Sequence, residues 1–162
     1  MEKKEKKYAP DEIDLEIMSL LQNDSTRPVA EIANMVGLSQ TPCWRRIRRL
    51  EQTKTIKRRV ALLEPTAINL GLTVFVTLKT RKHNAAWLET MTNAILTMDE
   101  VVEFYRMSGE SDYLLKVLVP DIAAYDLVYK RLIETIDLYD VSSSFAMEEM
   151  KYTTALPLRY AR

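Results

Sequence analysis

Apolar residues recur along the chain with two different periods, and the change from one to the other falls near residue 65. Ile13, Ile17, Leu20 and Leu21 stand at i, i+4, i+7 and i+8, the single apolar stripe of an amphipathic helix. Asp11 precedes the stripe as a cap, and Asn23-Asp24-Ser25 reads as its stop. Pro28 opens a shorter second helix that turns Val29, Ile32, Ala33 and Val36 inward. Gly37 ends it, because glycine enters the left-handed conformation of a helix terminus at little cost. A third helix starts between Ser39 and Pro42, with Ser39 and Thr41 both fit to cap it, and runs to about Gln52. A glycine turn between the second and third of three helices is the helix-turn-helix arrangement. The run at 58–63 (Val60, Ala61, Leu62, Leu63) then predicts a wing strand, closed by Glu64-Pro65.

Beyond residue 65 the period shortens. Leu72, Val74, Val76 and Leu78 alternate within 71–79, as in a half-buried strand. A helix follows with Trp87, Met91, Ala94, Ile95 and Met98 as its stripe. Strands at 101–107 and 113–119 flank the polar turn Ser108-Gly109-Glu110-Ser111-Asp112, and Pro120 closes the second of them. A further helix aligns Ile122, Tyr125, Tyr129, Leu132, Ile133 and Ile136, and a strand at 141–150 finishes the unit. The order βαββαβ is the ferredoxin-like split repeat. The expected fold class is therefore α+β: an N-terminal winged helix-turn-helix of three helices plus wing, joined to a C-terminal ferredoxin-like domain. The expected boundaries are a flexible basic tail over 1–10, a first domain over 11–65 and a second over 66–162. With two helices on one sheet face, Thr73, Phe75, Leu114, Leu118, Ser142 and Ser144 line the other; an open face of this kind marks association, so a homo-oligomer is expected.

Composition narrows the function. Among 162 residues, 47% are hydrophobic and 28% charged, ordinary values for a globular protein. No apolar run approaches the roughly 20 residues that cross a bilayer, so no membrane partner is expected. The first residues lack the apolar stretch of a secretory signal, and one cysteine cannot form an internal disulfide, so the expected setting is the reducing cytoplasm. Cys43 and His83 are each the sole residue of their kind, and only three glycines occur. No metal site, no cofactor and no phosphate-cradling loop is expected, and no catalytic pair, so the chain reads as no enzyme. Cys43, in an inward stripe, is expected to be an inert thiol, and His83 a plain surface residue.

Net charge is zero, but its distribution is uneven. Residues 1–63 hold 13 lysines and arginines against 9 acids; residues 64–162 hold 10 against 14. Between Gln40 and Val60, eight basic residues face one acid, Glu51. That asymmetry is the footprint of one module that touches phosphates and another that does not. At about 100° per residue, Cys43, Ile47 and Leu50 form the buried stripe of the third helix, and Arg45, Arg48, Arg49 and Gln52 project from the opposite side. Trp44 and Arg46 flank the boundary, and Gln40 and Thr41 stand at the helix start, where recognition helices meet base edges. Lys54, Lys57, Arg58 and Arg59 surround the wing turn and are expected on the phosphate backbone. Arginine pairs bidentately with guanine or binds phosphate, and the pattern leaves open which each one does. The partner read from these residues is double-stranded DNA.

Several separate segments also resemble one family. They are Ile13-Asp14 with Leu20-Leu21-Gln22, Glu31-Ile32-Ala33, Val36-Gly37-Leu38-Ser39, and Thr41-Pro42-Cys43-Trp44-Arg45-Arg46-Ile47-Arg48-Arg49-Leu50-Glu51. Further along come Ala61-Leu62-Leu63-Glu64-Pro65, Ser108-Gly109-Glu110-Ser111-Asp112-Tyr113-Leu114-Leu115, and the run from Ser143 through Lys151. Together they resemble the leucine-responsive/asparagine-regulator (Lrp/AsnC, feast/famine) family over nearly the whole chain below the basic tail. The resemblance implies a transcription regulator whose second domain dimerises through its sheet, with dimers assembling into octamers on a pseudo-palindromic operator. It implies amino-acid effectors held between subunits near a Gly-x-x-Asp turn, here Gly109 to Asp112, with response positions at Arg106, Ile122, Ser144, Phe145 and Ala146. Asp112 or Glu110 would meet the ligand's ammonium, and the glycine turn or Arg106 its carboxylate. Two departures stand out: Lys54 and Arg58 replace wing-turn glycines, and Ile136-Asp137 replaces a Pro-Gly pair before the last strand. The competing reading is a DNA-organising oligomer that senses no effector.

Overall fold

The computed structural model describes residues 8–81 and 84–161, which form two compact units: 8–61 together with 151–161, and 62–150. His83 lies outside the described residues.

In the first unit, α1 (Glu12–Asn23), α2 (Val29–Met35) and α3 (Gln40–Gln52) close over Ile17, Met18, Leu21, Ile32, Ala33, Val36, Cys43, Ile47 and Leu50. The third helix begins at Gln40 with Ser39 as its cap residue, which decides between the two candidates. Asp11 forms a full capping box with Asp14 at the start of α1, each side chain taking the other's backbone N–H. Gly37 lies at φ 67° just past α2, and Leu38 N–H reaches back to the Ala33 carbonyl at 2.8 Å, so the turn needs a residue tolerant of the left-handed region. Lys54 holds the same conformation past α3 (φ 58°), the position where the family resemblance placed a glycine.

One expectation is corrected here, and two segments make contacts that the pattern did not show. The wing strand at 58–63 does not form: 57–64 carry no strand pairing, and Val60, Leu62 and Leu63 stay exposed. An extended segment becomes a strand only when a neighbour takes its N–H and C=O groups, and none of the described residues does so. Of the tail expected over 1–10, residues 1–7 lie outside the described residues, and Tyr8 packs on the helical core. The last residues, expected within 66–162, make contacts in the first unit. Gln22 donates to the Leu156 carbonyl at 3.1 Å and accepts from its N–H at 3.0 Å, and Leu158 packs on the same core.

The second unit is a four-stranded antiparallel sheet in the order β2-β3-β1-β4. Its strands are β1 (Leu72–Lys79), β2 (Val101–Arg106), β3 (Tyr113–Val119) and β4 (Asp140–Phe145), with α4 (Ala85–Leu96) and α5 (Ile122–Thr135) as the crossovers. This is the split βαβ topology expected. Val74, Val76 and Leu78 of β1 and Leu115, Val117 and Val119 of β3 meet Met91, Ile95, Val128 and Leu132 from the helices in a dry core. Asn84 and Asp121 cap the two helices. The inward face of α5 is rotated from the expected stripe: Tyr125, Val128, Leu132 and Ile136 are buried, while Ile122 and Ile133 face out. The last strand also stops at Phe145 rather than near 150, its register with β1 ending at the Val74–Phe145 pair.

Candidate nucleic-acid interface and effector turn

A helix that meets DNA must be fixed on its own domain before its outer face can be used. In α3, Cys43, Ile47 and Leu50 are fully inside, as the periodicity required. Burial pushes the Cys43 thiol above its ordinary pKa, which leaves it protonated and unreactive. Arg46, the flanking arginine, is taken up internally. Its guanidinium bonds Asp11 at 2.6 Å and the fully buried Asp14 at 2.9 Å, and Tyr8 donates its hydroxyl to the same Asp14 carboxylate. The guanidinium holds the Asp11 carboxyl below its ordinary pKa, while burial and the bond to Asp14 raise that of Tyr8.

The other outward residues divide into groups. Thr41, Arg45, Arg48 and Gln52 follow at i, i+4, i+7 and i+11, all exposed, with Trp44 beside them. Arg48 lies over the Trp44 ring (5.6 Å to its centroid) and pairs weakly with Glu51 at 3.5 Å. Arg49 turns to the flank and covers the Tyr8 ring at 5.4 Å, a contact that periodicity cannot show because Tyr8 lies outside the helix. Gln40 is exposed at the first helical position. Lys54, Lys57 and Arg58 are exposed after the helix, and Arg59 bonds Glu51 at 3.1 Å. The outer face of α3 is thus strongly cationic, with its neighbouring acid, Glu51, held by two arginines.

In the second unit, the turn after β2 is closed by Met107 N–H on the Asp112 carbonyl (2.8 Å) and tied to β1 by Asp112 N–H on the Leu78 carbonyl (3.0 Å). Gly109 adopts φ 140°, accessible to glycine and strained for a side-chain-bearing residue. Asp112 accepts from Thr80 N–H at 2.8 Å through one oxygen. Glu110 pairs with Lys79 at 3.1 Å, so the strand β1 brings a cation to the turn that the local sequence did not reveal. Glu103 is engaged by Lys116 and by the Tyr105 hydroxyl, so neither Glu103 nor Glu110 holds Arg106, which is exposed.

The remaining candidates lie at the opposite end of the sheet. Ala146 N–H bonds the Thr73 carbonyl, and Ser144 and Phe145 pair with Phe75 and Val74. Ile122 follows β3 past Val119, which pairs with Leu72. Thr73 and Leu78 are five positions apart, about 17 Å along a strand. Within one chain the turn and the Ile122/Ser144–Ala146 group therefore do not meet around one small molecule. A groove of about 350 Å³ lies elsewhere, between the end of α5 and the start of β4, and includes none of these candidates.

Residues 11–51 match the model of the AsnC-type helix-turn-helix domain, and residues 73–156 match that of the Lrp/AsnC ligand binding domain. The "DNA-binding transcriptional activator DecR" of Escherichia coli K12 is 47% identical over 149 residues, which span 91% of this chain and 98% of that protein. The crystal structure of an AsnC family transcriptional regulator from Agrobacterium tumefaciens superposes with a TM-score of 0.91 at 56% identity, covering 93% of this chain and 99% of that one. A transcriptional regulator of Neisseria meningitidis, solved as its L-Met complex, gives a TM-score of 0.89 at 33% identity, with 93% and 98% covered. Both units are matched, in order and almost end to end: the chain belongs to the Lrp/AsnC family of transcriptional regulators.

Proposed function

We propose that α3 reads double-stranded DNA with Gln40, Thr41, Trp44, Arg45, Arg48 and Gln52, while Arg49, Lys54, Lys57, Arg58 and Arg59 bind the phosphate backbone. The single observation that carries this reading is the division of the α3 arginines. Arg46 is spent on Asp11 and Asp14, and Arg45 and Arg48 are left outward on one stripe with Thr41 and Gln52. A face so charged gains affinity by counterion release, so binding falls steeply with salt. The test is a gel-shift titration of a duplex selected from a random pool, at several salt concentrations, against the Arg45→Ala/Arg48→Ala/Arg49→Ala variant. Unchanged affinity in that variant would remove the reading.

The second unit, in this proposal, binds an amino acid and modulates the regulator through it. The neisserial relative was solved with L-Met, which supports that ligand class. The separation of the two candidate groups along β1 favours a site shared between subunits: Arg106, Gly109, Glu110 and Asp112 from one, Ile122, Ser144, Phe145 and Ala146 from another. The outer sheet face supplies a surface for a homodimer, with Phe75 and Tyr105 exposed among Thr73, Leu114 and Leu118. We place further assembly to an octamer, a pseudo-palindromic operator and action in the cytoplasm, without catalysis, within the same proposal. Among the described residues no helix is long and apolar enough to cross a membrane. Calorimetric titration with the twenty amino acids decides between sensor and architectural oligomer: saturable heat from one or a few supports the first, and silence from all supports the second.

A further inference from the structure

Trp44 does not fit the chemistry of the face it stands on. The indole is half exposed (50%), in the second turn of α3, between cations that need no apolar neighbour. It carries no charge for a phosphate, and its one polar group is a single N–H donor. Within the major groove the apolar feature on the base edges is the C5-methyl of thymine. The N-terminal half of a recognition helix is the part that reaches base edges, and Thr41, Arg45 and Arg48 beside Trp44 are the residues proposed above to enter that groove. Arg48 also lies over the indole face at 5.6 Å and is drawn by Glu51 at 3.5 Å, so the ring is backed on one side by a guanidinium and its rim is left free.

From this juxtaposition we infer that Trp44 is a specificity-determining residue: it packs on the methyl group of one thymine in each half-site and discriminates thymine from bases lacking that methyl. The inference rests on the DNA reading above and adds to it the identity of one base. Arg48, stacked on the same ring, is aligned for the adjoining base or phosphate.

The experiment uses the full chain and a duplex enriched from a random-sequence pool. Each thymine is replaced singly by deoxyuridine, which removes the methyl and keeps every hydrogen-bonding group. Binding is followed by fluorescence anisotropy at two or more salt concentrations, for the unaltered chain, Trp44→Ala and Trp44→Phe, with circular dichroism to confirm folding. For the unaltered chain, one replacement per half-site weakens binding about four- to tenfold, the scale of one buried methyl with its packing. Trp44→Ala binds the thymine duplex that much more weakly and is indifferent to the replacement, with the salt slope unchanged. Trp44→Phe retains part of the methyl response. The inference is overturned if Trp44→Ala keeps the full penalty, if no thymine methyl matters to the unaltered chain, or if the substitution lowers the salt slope as a lost phosphate contact would. An altered oligomeric state with the methyl response intact overturns it too, in favour of a contact between copies. Failure of the unaltered chain to enrich any sequence would instead sink the DNA reading itself.

Discussion

Thirteen consecutive residues, those of α3, carry the whole proposed base-reading face, whereas the proposed effector residues come from opposite ends of a sheet. On the helix, one period places three side chains inward and the rest outward, so neighbours in the sequence are neighbours in space. On the sheet, Asp112 and Ala146 meet β1 five positions apart, and the shared site proposed above draws its other half from a second copy of the chain. A surface complete within one element can lose a residue and still bind weakly. A surface assembled from two chains depends on how those chains dock.

The sharpest way to break this comparison is to strip the helix. Arg45→Ala/Arg48→Ala/Arg49→Ala should lower operator affinity about a hundred- to a thousandfold and flatten the salt dependence. Helical content and amino-acid binding should stay intact, measured by gel shift, circular dichroism and calorimetry. Next in size is the clamp beneath the helix. Asp14→Ala leaves Arg46 half-buried with Asp11 alone and should destabilise the first unit by about 3 kcal/mol, seen as an early transition in thermal unfolding. A single full-size transition at the parent temperature would contradict it.

The effector half is sharpened by complementation. Asp112→Asn and Ala146→Trp should each weaken amino-acid binding by about tenfold or more, since one alters a charge-assisted contact and the other fills space. Co-assembled chains carrying one substitution each should recover a fraction of sites with the parent affinity; if mixing restores nothing, the shared-site geometry fails. A smaller effect is expected at Lys54. Replacing it by glycine relieves a left-handed backbone worth about 1 kcal/mol and removes one cation, so thermal stability should rise while DNA affinity falls slightly. The smallest concerns acid. Because Arg46 holds the Asp11 carboxyl below its ordinary pKa, that pairing stabilises the fold above the unfolded carboxylate range and is lost as pH falls through the lowered value. Asp11→Asn should flatten the acid limb below about pH 4, and salt should blunt the difference, since the group is exposed.

Local pattern revealed a great deal of this. Capping by Asp11, the glycine turn at Gly37 and the Cys43/Ile47/Leu50 stripe all follow from spacings within one turn or two. What it missed has a common cause, which is distance along the chain. The wing at 58–63 has strand-like residues, but strand formation needs a partner that the pattern cannot name. Tyr8 reads as tail until Asp14 and Arg49 are seen to hold it. Lys79 gains its place beside Glu110 only through the β1–β3 register. The rotated face of α5 arose because Ile122 and Ile133 are as apolar as the buried residues, so hydrophobicity alone could not choose between adjacent stripes.

The bond pair between Gln22 and Leu156 closes a loop of 134 residues. Translation proceeds from the other end, so three helices emerge early and wait for their last packing segment until the ligand-binding unit has been made. A message cut short anywhere before that point yields a head without its clasp. Completion of the first unit thus requires that the second has already been synthesised.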